Sequence, residues 1–199
     1  MLFNSYPFLF VFLPATFAGF FLLARFSHTL AAAWLTAASF VFYGWWSLAY
    51  VALLLASIAF NFAVGMAIVR EAGKGRSRRL LALGVAANLL LLGYYKYADF
   101  FVSNLNRIGA GLPLPEVVLP LGISFFTFTQ IAFLVDAWQG KASEYRFIHY
   151  ALFVTYFPHL IAGPVLHHRQ MMPQFGLRES YRIDWQSLAV GLTLFFIGL

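Results

Sequence analysis

The sequence predicts an all-α polytopic membrane protein, because long apolar runs recur along the chain, charge is scarce, and what charge there is gathers in short loops. Hydrophobic residues make up 62% of the 199 and charged residues only 10%, with a mean hydropathy of +0.78; an ordinary globular domain carries about 25% charge. Within a bilayer every backbone polar group needs an internal partner, so spans are helices or closed barrels. The runs here are continuous rather than alternating, which excludes the barrel.

The apolar runs fall at 8–24, 30–46, 48–69, 80–95, 118–135 and 147–166, with a last one from 187. A perpendicular span takes about 20 residues, so five or six complete spans are expected. The opening residues carry no early Lys or Arg, unlike the charged start of a cleavable signal peptide, and read as an uncleaved first span. The second and third runs are joined through FYGWWSLAY, whose Tyr43, Trp45, Trp46 and Tyr50 suit an interfacial turn.

The loop REAGKGRSRR, 70–79, sets Arg70, Lys74, Arg76, Arg78 and Arg79 against Glu71. Such a loop is expected to face the cytoplasm, with Arg25 on the same side and the N-terminus on the other. Lys96, Arg107, Lys141 and Arg146 are spread over two successive loops and leave the later topology open. A Pro- and Gly-rich stretch, 109–122, leads into the fifth run. The last run, 188–199, extends about 18 Å as a helix against a hydrocarbon core of about 30 Å, so a longer protein is expected.

Several chemistries are excluded. The chain has no cysteine, hence no disulfide, thiolate nucleophile or cysteine-ligated metal. Its net charge of +6 lies in loops between apolar runs, which points to topology rather than to nucleic acid. Neither a P-loop, a dinucleotide fingerprint, a Ser nucleophile elbow nor a zinc-protease His pair is present.

Three groups of polar residues stand in apolar surroundings. Ser124, Thr127 and Gln130 recur every third residue, which places them on one helix face toward protein or a cavity; interhelical hydrogen bonding is the simpler reading. Lys96 and Asp99 are spaced so that they could pair on a helix, among Tyr94, Tyr95 and Tyr97; an aromatic interface belt with a snorkelling lysine is the simpler reading. His159 lies between Pro158 and Gly163-Pro164, which interrupt the sixth run and predict a broken or re-entrant helix. His167 and His168 read as its interfacial end. No carboxylate has ligand spacing to them, so no metal site is expected.

In the segments FYGWW, GYYKYADF, LPLGISFFTFTQIAFLVDAWQG and FPHLIAGPVLHHRQMMPQF, taken in that order, the chain resembles the membrane-bound O-acyltransferase family, most closely its alginate-acetylating branch. The resemblance covers residues 1–199 as the N-terminal part of a single membrane domain. It implies transfer of an acyl group, acetyl above all, from a cytoplasmic thioester (acetyl-CoA or an acyl carrier protein) to hydroxyls of an exported polysaccharide such as alginate. No cofactor is bound in such a scheme. Soluble or periplasmic acetylation proteins, the bilayer and the polysaccharide are the implied partners, and the bacterial inner membrane is the implied location.

The family's histidine base lies in a Trp-His-Gly segment that this sequence does not contain, so no catalytic role passes to any histidine here, and the chain alone is expected to be inactive. His159, Gly163 and Pro164 are the first candidates for lining the reaction cavity; Ser124, Thr127 and Gln130 are the second. The competing classes are a non-catalytic membrane scaffold and a transporter-like protein, although no repeated halves are visible.

Overall fold

A computed structural model describes residues 2–141, 146–160 and 171–198, and among them every regular element is helical. Helix α1 covers Phe8–Ala24 and opens on a π-helical turn, Phe8–Phe12. Pro14 follows just after that turn and, lacking an N–H, gives the carbonyls of the π-helical turn no bond of its own. Then come α2 (His28–Gly44), α3 (Leu48–Arg70), α4 (Gly75–Arg107), α5 (Ile123–Trp138), α6 (Phe147–Thr155), α7 (Phe157–Leu160) and α8 (Trp185–Gly198). Two 3₁₀ turns, Met172–Gly176 and Arg178–Tyr181, precede α8.

The ends follow local chemistry. Ser27 caps α2 by accepting from the Leu30 N–H, and Asp184 caps α8 by accepting from the Gln186 and Ser187 N–H groups. Gly73 turns the chain between α3 and α4 at φ +78°. Inside the helices, Thr36, Ser39, Thr129 and Thr155 donate to the carbonyl four residues back, which satisfies their hydroxyls without water.

The spans differ from expectation in length. Among the described residues, only α3 and α4, with 23 and 33 residues, are long and apolar enough to cross a membrane. Phe8–Ala24, Ile123–Trp138 and Trp185–Gly198 are shorter apolar helices. The physical reasons are local: the run from 118 enters as an extended strap before Gly122 starts α5, and the run from 147 breaks after nine helical residues. Conversely, α4 contains no Pro and neither Gly84 nor Gly93 interrupts it, so it continues to Arg107, past its apolar part.

Cross-helix neighbours fix the packing. A Cβ on Gly84 of α4 would touch Val64 of α3 and Leu134 of α5, and Asn88 meets Asn61. Farther along, Lys96 meets Ser124. Thus α4 runs antiparallel to both α3 and α5. The main core joins α2 to α6 through Leu54, Ile58, Phe126, Phe133, Tyr150 and Phe153. A second, aromatic cluster gathers Phe8, Phe42 and Phe157.

Candidate functional site

The most polar part of the interior lies where α3, α4 and α5 meet. Asn61 and Asn88 bond each other, and the Asn61 amide also donates to Gln130 Oε1, which accepts from the Ser57 hydroxyl at 3.3 Å as well. Asn61, Asn88 and Gln130 are 1%, 2% and 0% exposed, so this cluster is sealed from solvent. Gln130 thus bridges α5 to α3 by side-chain hydrogen bonds. Thr127 is also fully buried, and neither its hydroxyl nor Gln130 Nε2 has a hydrogen-bond partner among the described residues.

Asn61 and Asn88 escape a motif search because each is a lone amide in an apolar helix, in IAFNFAV and VAANLLL. The available signal is that loneliness: a polar side chain at such depth needs a partner.

At one end of the bundle the strap 109–122 is tied down by side chains from three helices. Tyr43 donates to the Leu121 carbonyl at 3.0 Å, Tyr50 to the Val118 carbonyl at 2.6 Å, and Asp99 accepts from the Val117 N–H at 3.1 Å. Asn106 both donates to and accepts from Leu112, at 2.7 Å each way. Ser124 follows the strap and takes a hydrogen bond from Lys96 at 3.3 Å. Lys96 and Asp99, although spaced to pair, form no ion pair among the described residues. A part-buried backbone N–H on the strap takes the carboxylate, and Lys96 turns instead to Ser124 and the Tyr97 ring.

The helix break appears where expected. α6 ends at Thr155, Tyr156 takes a non-helical conformation, and Pro158 stands in the first turn of α7, where it has no N–H to lose. His159 is half-buried, with its ring near those of Phe153 and Tyr156 and its Nδ1 without a hydrogen-bond partner among the described residues. Gly163, Pro164, His167 and His168 lie outside the described residues. No hydrogen bond among the described residues links His159 to Ser124, Thr127 or Gln130. Among the described residues, no base and nucleophile are hydrogen-bonded there and no three His, Asp or Glu side chains gather as metal ligands.

Charge is segregated by end. Arg25 and the loop 70–79 lie at the end opposite the strap, and so do Lys141 and Arg146, which follow and precede helix ends on that side. Arg178 and Arg182 join them, because Tyr181 between them stacks on His28 at 4.3 Å. Only Lys96 and Arg107, among the described cations, lie toward the strap.

The described residues thus form an all-helical bundle with two helices of membrane-crossing length, a sealed amide cluster and one strongly basic end. Over its whole length the chain is 39% identical to the peptidoglycan O-acetyltransferase of Helicobacter pylori, of which it covers 43%. It is 39% identical to proteins named as probable alginate O-acetylase in Azotobacter vinelandii and Pseudomonas aeruginosa, covering 40% and 38% of them. The chain is therefore a relative of the bacterial O-acetylases, as its motifs indicated, and spans about two-fifths of the length of these curated relatives. No family model and no solved structure matches it.

Proposed function

We propose that this chain is the N-terminal part of a membrane-bound O-acyltransferase that moves an acetyl group from a cytoplasmic thioester, acetyl-CoA or an acyl carrier protein, toward hydroxyls of an exported polysaccharide. The observation that carries this reading is the similarity of the entire chain, at 39% identity, to named O-acetylases of two different cell-surface polymers. The segregation of cations supports a multi-pass arrangement in the bacterial inner membrane, with the basic end cytoplasmic and the strap end outside. Large exposed apolar side chains such as Leu90 and Phe128 would then face lipid.

In this scheme the described residues supply wall and scaffold. The amide cluster fixes α3, α4 and α5; His159, just after the break at Tyr156, is our first candidate for the wall of the reaction cavity, together with Gly163 and Pro164, which lie outside the described residues. The general base that activates the acceptor hydroxyl is assigned to no residue of this chain. Alginate and peptidoglycan are both retained as acceptor classes, and soluble acetylation proteins as partners.

The test is an ester-forming assay. The 199-residue chain and a version extended to the length of its relatives are purified in detergent and given an acetyl thioester, partner proteins, and alginate or peptidoglycan. The extended protein is expected to form ester, and the short chain to be slower by at least about 10²-fold, the typical cost of a missing general base. Failure of the extended protein with every donor and acceptor removes the acyltransferase reading. Equal rates remove the scaffold role of the short chain.

A further inference from the structure

The loop between α3 and α4 holds more charge than a topology signal requires, and holds it in a fixed place. Arg70, Lys74, Arg76, Arg78 and Arg79 are all exposed. The lone acid among them, Glu71, pairs with Lys74 at 3.3 Å, and the four arginines have no ion pair among the described residues. The turn beneath them is tied: Ser77 is 3% exposed and donates back to the Ile68 carbonyl, while Lys74 N–H bonds the Glu71 carbonyl.

Depth and direction restrict what these cations can meet. Arg70 and Arg79 each stand nine residues from the Asn61–Asn88 pair, about 13 to 14 Å along their helices, against a hydrocarbon half-thickness of about 15 Å. With the amide pair near the midplane, both arginines reach the headgroup layer. On α4, Arg76, Arg79, Leu83 and Leu90 fall within a sector of about 60° at 100° per residue. Leu83 is 55% and Leu90 74% exposed, and only 11% of the most apolar stretch of α4 is buried, against 39% for α3. A cationic head thus runs without interruption into an open apolar stripe.

From this juxtaposition we infer that the 70–79 loop and the adjoining face of α4 form a docking site for an anionic phospholipid. Its phosphodiester lies against Arg76 and Arg79, with Arg70 and Arg78 adding charge, and an acyl chain lies along Leu83 and Leu90. Guanidinium forks match phosphate oxygens, and the apolar stripe favours a lipid over a soluble anion. The site goes beyond the acyltransfer reading and rests on it only for the bilayer orientation.

Because the chain lacks cysteine, Ala72→Cys provides a unique attachment point for a fluorophore. The labelled chain is placed in phosphatidylcholine nanodiscs with trace spin-labelled phosphatidylglycerol or spin-labelled phosphatidylcholine, and quenching is compared. Phosphatidylglycerol is expected to be enriched near the loop by about three- to tenfold, less at high salt. The four-fold Arg→Gln variant at 70, 76, 78 and 79 abolishes the enrichment, the four-fold Arg→Lys variant keeps most of it and controls for folding, and Leu83→Ser with Leu90→Ser weakens it. Equal quenching by the two lipids, or enrichment unchanged in the Gln variant, overturns the site. Displacement by millimolar glycerol phosphate also overturns it, in favour of a soluble phosphate site. Orientation is read separately: an impermeant thiol reagent that labels the Ala72→Cys protein from outside intact cells rejects the topology without touching the lipid measurement.

Discussion

Asn61 and Asn88 exchange side-chain hydrogen bonds in both directions, 3.2 Å from the Asn61 amide to the Asn88 oxygen and 2.6 Å in return. Each amide oxygen has the other's amide N–H as its partner, while the two amide nitrogens also donate to the Ser57 and Gly84 carbonyls, and Asn61 serves Gln130 as well. The two substitutions are therefore not equivalent. Asn61→Leu leaves Asn88 and Gln130 both short of a partner, whereas Asn88→Leu leaves only Asn61 so.

We expect each single variant to lose about 1–3 kcal/mol, the usual cost of a buried group left unpaired, with Asn61→Leu the worse. The double variant should lose less than the sum. The coupling should be about 0.6 kcal/mol and at most about 1.7, the range for hydrogen bonds within membrane helices. Thermal unfolding of the four proteins in detergent measures it, and strict additivity would show that the pair is not coupled.

The glycines divide by what stands over them. A Cβ at Gly65 would lie 2.5 Å from Phe133 Cε1, and one at Gly84 2.6 Å from Leu134 Cδ1 with Val64 close by; Gly93 has nothing within 4 Å. Phe133 is fully buried and its ring lies 4.3 Å from that of Tyr150, so it has nowhere to go. Gly65→Ala and Gly84→Ala should each cost about 1–3 kcal/mol by overpacking. Gly93→Ala should gain up to about 1 kcal/mol from helix propensity. Melting temperatures of the three variants decide the matter, and a stable Gly65→Ala protein would deny the close approach of α3 and α5.

Two tyrosines hold the strap, and their burial predicts unequal importance. Tyr43 is 2% exposed and its hydroxyl reaches Leu121, whereas the Tyr50 hydroxyl bonds Val118 in an exposed setting where water can take its place. Tyr43→Phe should cost about 1 kcal/mol and speed hydrogen exchange along the strap; Tyr50→Phe should do less. Faster exchange of the Val117 amide in Tyr50→Phe than in Tyr43→Phe would reverse that order.

Much of this was legible from residue order. Continuous apolar runs give helices, Pro158 gives the break, and spacing by threes puts Thr127 and Gln130 on one buried face of α5. Helix lengths were less legible, since the apolar run from 118 begins in a strap held by distant tyrosines. Partnerships were least legible. Lys96 and Asp99 have the right spacing to pair, yet Ser124 and the Val117 N–H, brought in by tertiary packing, take them separately. Likewise nothing local in IAFNFAV says that Asn61 will meet Asn88, 27 residues on, because only the antiparallel turn at Gly73 brings them level.

Asp184 offers a test in solution at the start of α8. It is exposed, and its carboxyl is held below the usual carboxylate range, first by the Ser187 hydroxyl and then by the Gln186 N–H, with the Ser187 N–H adding to them. Because the folded value is depressed, the charged cap contributes fully above the ordinary carboxylate range, and that contribution is lost as pH falls through the folded value. Protection of the Gln186 and Ser187 amides, corrected for intrinsic exchange, should therefore hold at neutral pH and collapse on acidification. Ser187→Ala removes the largest cause while leaving the carboxyl in place. The Asp184 titration midpoint, followed by its carboxyl carbon resonance, should move up toward the ordinary value, and the first turn of α8 should fray at a higher pH than in the parent. Asp184→Asn should keep part of the cap, since its side-chain oxygen still accepts, and should remove the pH dependence altogether. A midpoint unchanged by Ser187→Ala would mean that the backbone N–H groups, not the hydroxyl, hold the carboxylate.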